Sequence, residues 1–272
     1  MTSSAHGKLA ATREQELAHG CDLTVVTVSD PCLHVPRRAI ADAVNRKFGY
    51  RPDHYDLLSF ASLGPMVNDR EWRAVLLEDI GTAVSLHGAE KLLVAGPDYR
   101  STVDLHGLLH LEQHKGKLPR NLTIECQVTS PGPTPPPGPA VLTCMDWRLH
   151  GQPTLAGILK ERLGFSSYSL MTTPGVAKEL KADGIRSALV IDQLERLARR
   201  GCLDRLLLLA HTDCGKYGGH GAFRDRHHEA DTYVSDLLAA RAYLGKIFPD
   251  LPMTVATVVV EDDRPQSLGY VA

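Results

Sequence analysis

Residues 140–150 read AVLTCMDWRLH, and residues 205–215 read RLLLLAHTDCG. Each stretch opens with an apolar run that predicts a buried β-strand, and each ends in polar side chains. Between them, residues 185–200 have the apolar periodicity of an amphipathic helix. Strands that alternate with helices predict right-handed crossovers and a parallel sheet covered by helices on both faces. We therefore expect an α/β fold in which both stretches end at the same edge of one sheet.

The first half of the chain repeats the order of predicted elements found in the second half. Residues 23–34 read LTVVTVSDPCLH, another apolar run followed by an aspartate. Val28 in this run lies 116 residues before Cys144, and Gly96, at the end of a later apolar run, lies 115 residues before His211. A nearly constant offset over this length indicates an internal repeat.

A proline-rich stretch, PGPTPPPGP at residues 131–139, separates the two halves. Proline lacks the backbone N–H and fixes φ, so this stretch predicts a semi-rigid linker rather than a helix or a central strand. The chain then divides into residues 1–130, the linker, and residues 140–272. We expect each half to be an α/β unit with a mostly parallel sheet, and the two to pack as an intramolecular pseudo-dimer.

The polar residues after two strands of the second half are suited to binding zinc. Cys144 follows one predicted strand, and His211 and Cys214 form a His-x-x-Cys turn after another. Zinc favours thiolate and imidazole ligands, and catalytic zinc sites use three protein ligands and leave a fourth position open. We therefore predict a catalytic Zn²⁺ site. The alternative is two buried thiols and a hydrogen-bonded core histidine.

The region from about residue 140 to 260 resembles the β-class carbonic anhydrases. That family carries Cys-x-Asp-x-Arg after its first strand and His-x-x-Cys-Gly after a later one, and this chain has both motifs in that order. The resemblance implies tandem carbonic-anhydrase-like units, with a degenerate copy in residues 1–130. It also implies zinc bound by three ligands beside a carboxylate–guanidinium dyad: Cys144, His211 and Cys214 for the metal, Asp146 and Arg148 for the dyad.

The chemistry of these residue types agrees with the resemblance. Zinc lowers the pKa of bound water and makes hydroxide available near neutral pH. Asp146 would orient that zinc-bound hydroxide by accepting its hydrogen bond, and Arg148 would hold the carboxylate and keep it ionised. In the family, the aspartate either binds zinc or pairs with the arginine. The alternative interpretation of Asp146 and Arg148 is an ordinary surface ion pair.

Two positions depart from the family pattern. Trp147 stands where the family commonly has a small residue such as serine, and residues 172–175, TTPG, replace an Arg-Asn-Ala-Gly-like loop. Gly175 fits that loop, whereas its arginine and asparagine have no counterpart. These departures concern the shape of the pocket and the choice of substrate more than the binding of zinc.

The N-terminal half lacks the ligands. The positions that correspond to the three ligands hold Val28, Gly96 and Tyr99. Of the dyad, Asp30 is kept, and Cys32 stands in place of the arginine. We therefore expect this half to be a structural partner that binds no metal.

An insertion at residues 218–232 contains His220, His227 and His228. A histidine near the site could carry protons, since its ordinary pKa lies near neutrality. Exposed loop histidines are the favoured interpretation of all three.

The composition is that of a globular protein without a strong electrostatic partner. Apolar residues make up 43% and charged residues 23%, and the net charge is −2, which argues against nucleic-acid or membrane binding. No signal peptide or membrane span is recognisable, so we expect a cytoplasmic protein with reduced thiols, in which Cys21, Cys32, Cys126 and Cys202 form no disulfides. The sequence leaves open whether the chain also assembles into a homo-oligomer.

Three functions are compatible with the motifs. The first is a carbonic-anhydrase-like zinc lyase that reversibly hydrates carbon dioxide to bicarbonate. The second is a hydrolase of carbonyl sulfide or carbon disulfide with the same site, because related folds hydrolyse such linear molecules. The third is a non-catalytic zinc-binding protein whose partner surface is the insertion. The first two have a small-molecule substrate.

Overall fold

The computed structural model describes residues 23–28, 37–49, 55–60, 69–129, 138–150, 155–181, 183–262 and 264–272. The strands in these ranges are β1 (Leu23–Val28), β2 (Asp56–Phe60), β3 (Lys91–Gly96), β4 (Thr123–Val128), β5 (Gly138–Thr143), β6 (Ser169–Thr172), β7 (Leu203–His211), β8 (Met253–Glu261) and β9 (Arg264–Val271). The helices are α1 (Arg37–Phe48), α2 (Arg70–His87), α3 (Tyr99–His114), α4 (Trp147–His150), α5 (Leu155–Leu163), α6 (Val176–Glu179), α7 (Ile185–Arg199) and α8 (Arg226–Ile247).

The strands form two sheets with matching strand orders. The first sheet has the order β2-β1-β3-β4, and all of its pairs are parallel. The second has the order β6-β5-β7-β8-β9, with β5 to β8 parallel. Helices connect successive parallel strands. The predicted α/β class with mostly parallel sheets is therefore confirmed.

Local sequence explains where the long helices begin and end. Helix α2 starts after Asp69, whose carboxylate accepts hydrogen bonds from the backbone N–H groups of Glu71 and Trp72. It ends at Gly88, whose φ of 71° favours glycine. Helix α8 likewise starts after Asp225, which accepts from the N–H of His228. Such caps fix the positions of the turns that follow the strands.

Strand β9 was not among the predicted elements. It pairs antiparallel with β8, with Glu261 opposite Arg264 across a tight turn. Its sequence, RPQSLGYV, has few β-branched residues and no clear apolar alternation, because much of the strand is exposed at the sheet edge. Pairing with β8 therefore determines its structure more than its own composition does.

Strand β5 begins at Gly138, two residues inside the predicted linker. The pairing of β5 with β7 is irregular at Gly138 and Pro139, as expected where a proline enters a strand. The remainder of the linker, residues 131–137, lies outside the described residues.

Residues of both sheets contribute to one apolar core. A single cluster of buried side chains includes Leu58 and Ile80 from the N-terminal half and Leu142 and Leu208 from the C-terminal half. Polar contacts accompany it. The guanidinium of Arg186 on α7 forms ion pairs with Glu78 and Asp79 on α2. The two halves are therefore in direct contact through apolar and charged side chains.

Candidate metal centre

The candidate metal centre lies where the strand order reverses in the second sheet. Strand β5 is flanked by β6 on one side and β7 on the other, so the carboxyl ends of β5 and β7 form the switch point of the sheet. Ligand sites in open α/β sheets form in this crevice. Cys144 directly follows β5, and His211 is the last residue of β7. The topology thus brings together side chains that are 67 residues apart in sequence.

Three side chains meet at this point. The ligand atoms of Cys144, His211 and Cys214 all lie within 4.8 Å of one another, and all three residues are buried. The two sulfurs are 3.9 Å apart. The structure therefore brings together the three residues selected from the sequence, as a buried group that could hold a metal ion.

The ring of His211 is oriented with one nitrogen available to the cluster. Its Nδ1 lies 2.8 Å from the carbonyl oxygen of Thr212, to which it donates as an N–H. Within the described residues, the buried Nε2 has no hydrogen-bond partner. A buried polar nitrogen without a partner is costly, so this atom is suited to bind a metal ion. A backbone carbonyl on the other ring nitrogen is also how proteins orient metal-binding histidines.

The spacing of the ligand atoms fits a tetrahedral zinc ion. Zn–S bonds of about 2.3 Å place two sulfurs about 3.8 Å apart in a tetrahedron. The observed separation of 3.9 Å agrees with that value. Two thiols and one imidazole are also a donor set that zinc prefers. The donor types and the sulfur–sulfur distance therefore fit a zinc ion with three protein ligands.

Asp146 and Arg148 form a buried bidentate pair beside the ligands. Arg148 Nε donates to Asp146 Oδ1 at 3.0 Å, and Nη2 donates to Oδ2 at 2.7 Å. The arginine side chain is only 11% exposed, which rules out the alternative of a surface ion pair. Asp146 Oδ2 lies 3.6 Å from His211 Nε2. The carboxylate is thus held against the arginine while one of its oxygens faces the ligand cluster.

Asp213, inside the His-x-x-Cys turn, links this dyad to the ligands. Arg148 donates to its carboxylate through Nη1 and to its backbone oxygen through Nη2, both at 2.8 Å. Asp213 also accepts a hydrogen bond from the backbone N–H of His220 at 2.8 Å. Its φ of 59° is unusual for a residue other than glycine, and such strain persists where several contacts impose it. Arg148 is therefore held between two aspartates.

The charges of the site favour a cation among its ligands. The hydrogen bond with Cys214 and burial raise the pKa of the Cys144 thiol well above its usual value. Burial opposes a charge on His211, but the charges of Asp146 and Cys144 outweigh it and raise the pKa of the imidazole. Burial likewise opposes a charge on Arg148, yet Asp146 and Asp213 keep its pKa above the usual range. Positive charge is thus stabilised where a metal ion would bind.

The first turns of α8 hold the backbone of the His-x-x-Cys turn. Glu229 is buried, and its Oε1 accepts from the N–H of Asp213 at 2.7 Å. Tyr233, one helical turn later, accepts from the N–H of Cys214 at 3.2 Å and donates to Glu229 Oε1 at 3.2 Å. Sequence reasoning missed both residues. The two residues are four positions apart and therefore share one helix face, but the sequence does not show that this face covers the turn.

The histidines of residues 218–232 differ from one another. His220 is 27% exposed, and its Nδ1 lies 2.6 Å from Glu229 Oε2, so the expectation of a free loop histidine is wrong for this residue. His227 and His228 are exposed as expected, but they lie on the first turn of α8 rather than in a loop. The buried Glu229 carboxylate supplies the partner that places His220 beside the metal-binding turn.

The cysteines outside the cluster also differ from expectation. Cys126 is a free thiol, as predicted, whereas Cys202 forms a disulfide. The expectation that none of these cysteines is oxidised is therefore wrong for Cys202. Cysteine spacing in a sequence does not indicate which thiols the fold brings within bonding distance. Cys21 and Cys32 lie outside the described residues.

The corresponding edge of the first sheet carries no equivalent cluster among its described residues. Val28 ends β1, Gly96 ends β3, and Tyr99 is 69% exposed at the start of α3. Asp30 lies outside the described residues. The three-ligand group of the C-terminal half is the one found in the described ranges.

The Thr172–Gly175 segment contacts both halves of the chain. Thr172 Oγ1 accepts from the N–H of Ser59 on β2 at 2.9 Å. Gly175 has a φ of 58°, and a Cβ there would lie 2.6 Å from Cγ of Lys216. Only glycine leaves room for this lysine, which reaches Glu179 at 3.2 Å. The loop is therefore shaped by contacts within this chain, even though it lacks the family's arginine and asparagine.

Replacement of Tyr233 by phenylalanine is expected to weaken metal binding about 10- to 100-fold, the usual effect of losing a partner that orients a ligand. The change removes the acceptor for Cys214 N–H and leaves that buried group without a hydrogen bond. Competition with a chromogenic chelator measures the affinity. Tyr243→Phe is the matched control, since Tyr243 lies on the same helix and donates to Asp183 instead. Equal affinities in both variants would show that α8 does not support the site.

Comparisons of the chain with protein-family models, with curated proteins and with solved structures find no match. Across the described ranges, no helix combines the length and the hydropathy needed to cross a membrane. The residues of the site are therefore the basis on which a function can be assigned.

Proposed function

We propose that the chain is a zinc-dependent lyase of the carbonic anhydrase type, which reversibly hydrates carbon dioxide to bicarbonate. The observation that carries the proposal is the buried Cys144–His211–Cys214 cluster with the Asp146–Arg148 pair beside it. A structural zinc site ordinarily has four protein ligands, whereas three ligands leave one position for reactants. A buried, arginine-held carboxylate next to that position supports catalysis over simple metal storage.

Each residue of the site has a defined task in this proposal. Cys144, His211 and Cys214 hold the metal, which when bound supplies a Lewis acid that makes water nucleophilic near neutral pH. Asp146 accepts a hydrogen bond from the attacking water and thereby orients its lone pair towards the carbon of the substrate. Arg148 keeps Asp146 ionised and fixes its position, and Asp213 in turn fixes Arg148.

We further propose that the chain consists of two tandem carbonic-anhydrase-like units packed as an intramolecular pseudo-dimer. The matching strand orders of the two sheets and the core shared between them support this organisation. The absence of a ligand set at Val28, Gly96 and Tyr99 supports a structural role for the first unit. Fusion would keep the two units at a high effective concentration.

The purified chain is expected to contain about one zinc per molecule and to accelerate carbon dioxide hydration in a stopped-flow assay with a pH indicator. Metal analysis measures the first quantity, and the assay before and after chelation measures the second. Hydrolysis of carbonyl sulfide or carbon disulfide without carbon dioxide hydration would instead identify the sulfur compounds as substrates. The departure from the family pattern at Trp147 is the reason for testing this alternative. Zinc without either activity would contradict an enzymatic role.

A further inference from the structure

Asp56, in the half of the chain without metal ligands, contacts the catalytic motif of the other half. Its carboxylate is completely buried at the start of β2. Oδ1 accepts a hydrogen bond of 3.1 Å from the backbone N–H of Trp147. Trp147 lies between Asp146 and Arg148, and its N–H belongs to the Asp146–Trp147 peptide group, so this hydrogen bond reaches the backbone directly after the dyad aspartate.

The next residue of β2 makes a second contact with the same segment. The N–H of Leu57 donates to the carbonyl oxygen of Met145 at 3.0 Å. The two peptide groups on either side of Asp146 are therefore both held by consecutive residues of β2. One is held through Met145 O and the other through Trp147 N. Fixing both peptide planes fixes the backbone of Asp146, and with it the starting point of its side chain.

The chemistry of Asp56 suits this task. A hydrogen bond to a carboxylate is stronger than one between neutral groups, and burial strengthens it further. Burial of a carboxylate is also costly unless it is hydrogen-bonded, so apolar packing alone does not explain Asp56 at this position. The contact spans 91 residues of sequence and joins the two halves at the catalytic motif itself.

We propose that Asp56 is a positioning residue for the Asp146–Arg148 dyad, so that the ligand-free half completes the site through β2. This inference rests on the proposed function for its effect on turnover, but the contact can be tested without it. Loss of the acceptor would remove this contact from the Trp147 N–H and loosen one side of the Asp146–Trp147 peptide, whose carbonyl oxygen accepts from the N–H of Leu149. The Asp146 carboxylate could then shift from its position. A displacement of about 1 Å in a catalytic group can lower turnover about 100-fold.

The test compares Asp56→Ala, which removes the acceptor, with Asp56→Asn, which keeps an oxygen acceptor but no charge. Asp56→Leu replaces the alanine variant if that variant does not fold, because leucine fills a similar volume. Glu112→Ala is the matched control. Glu112 is another buried carboxylate of the N-terminal half, but its ion pairs are with Lys115 and Lys117.

One readout is independent of activity. The chain has two tryptophans, so Trp72→Phe leaves Trp147, which is buried, as the single tryptophan, which can be excited selectively over tyrosine. In this background, Asp56→Ala should increase acrylamide quenching of Trp147, while Asp56→Asn and Glu112→Ala should not. The second readout is turnover at equal zinc content, in otherwise unaltered protein. It should fall about 10- to 100-fold in Asp56→Ala and be largely restored in Asp56→Asn.

The outcomes separate this inference from the proposed function. Increased quenching in Asp56→Ala together with a wild-type chain inactive on all substrates would support the contact and contradict the enzymatic proposal. Unchanged quenching and turnover in Asp56→Ala would overturn the positioning role. A loss in Glu112→Ala as large as that in Asp56→Ala would overturn it as well, since any buried carboxylate of this half would then have the same effect.

Discussion

Replacement of Cys144, His211 or Cys214 by alanine is expected to abolish stable zinc binding in each case. The three ligand atoms lie within 4.8 Å of one another in a buried site, so removal of one leaves two protein ligands and a cavity. We expect the loss in affinity to exceed the roughly 100-fold upper range for an orienting partner, because a direct bond to the metal is lost. Metal analysis after dialysis measures the result.

Cys126→Ala is the control for this experiment. Cys126 is also a free thiol, but it lies on β4 in the other half of the chain. Its removal should leave the zinc content unchanged. Zinc at full occupancy in any one of the three ligand variants would show that the corresponding residue is not a ligand.

Replacement of Asp146 by asparagine is expected to keep the metal and to lower turnover about 100- to 10,000-fold, the range attributed to a positioned acid–base group. An amide lacks the negative charge that orients the attacking water, and it cannot accept both hydrogen bonds from Arg148. Steady-state hydration rates at equal zinc content measure the effect. The three ligands are unchanged, so metal affinity should fall much less than turnover.

The control for Asp146 is a second aspartate–arginine pair. Asp192 on α7 accepts from Arg196 at 2.7 Å in a partly exposed pair one helical turn apart. Asp192→Asn should keep full turnover, because such pairs contribute little to the fold and this one lies outside the site. Turnover of Asp146→Asn equal to that of Asp192→Asn would reduce the dyad to a structural ion pair.

Much of the secondary structure follows from local sequence patterns. Helix α7 and strands β1 and β3 are predicted because their apolar spacing matches the periods of helix and strand. The candidate ligands could also be selected, since a His-x-x-Cys turn after a leucine-rich strand and a cysteine after another apolar run are each a local signal. Each signal lies within one short stretch of the chain, whereas the meeting of Cys144 with His211, 67 residues later, follows from the order of the strands.

The supporting residues could not be predicted in this way. Glu229 and Tyr233 lie on α8, which begins within the insertion, and their role depends on which face of α8 covers the His-x-x-Cys turn. Asp56 acts on a peptide 91 residues away. Strand β9 depends on its pairing with β8. These features arise from tertiary packing, which overrides local propensity and leaves no periodic trace in the sequence.

The contacts from β2 to residues 145–147 have a consequence for how the site behaves on dilution. Both groups of the Asp56–Trp147 hydrogen bond belong to one chain, as do those of the Asp79–Arg186 ion pair. A site completed by a separate subunit would fall apart below the dissociation constant of the dimer. In the proposed pseudo-dimer the partner surface is covalently attached, so the arrangement would be independent of how many copies of the protein a cell contains.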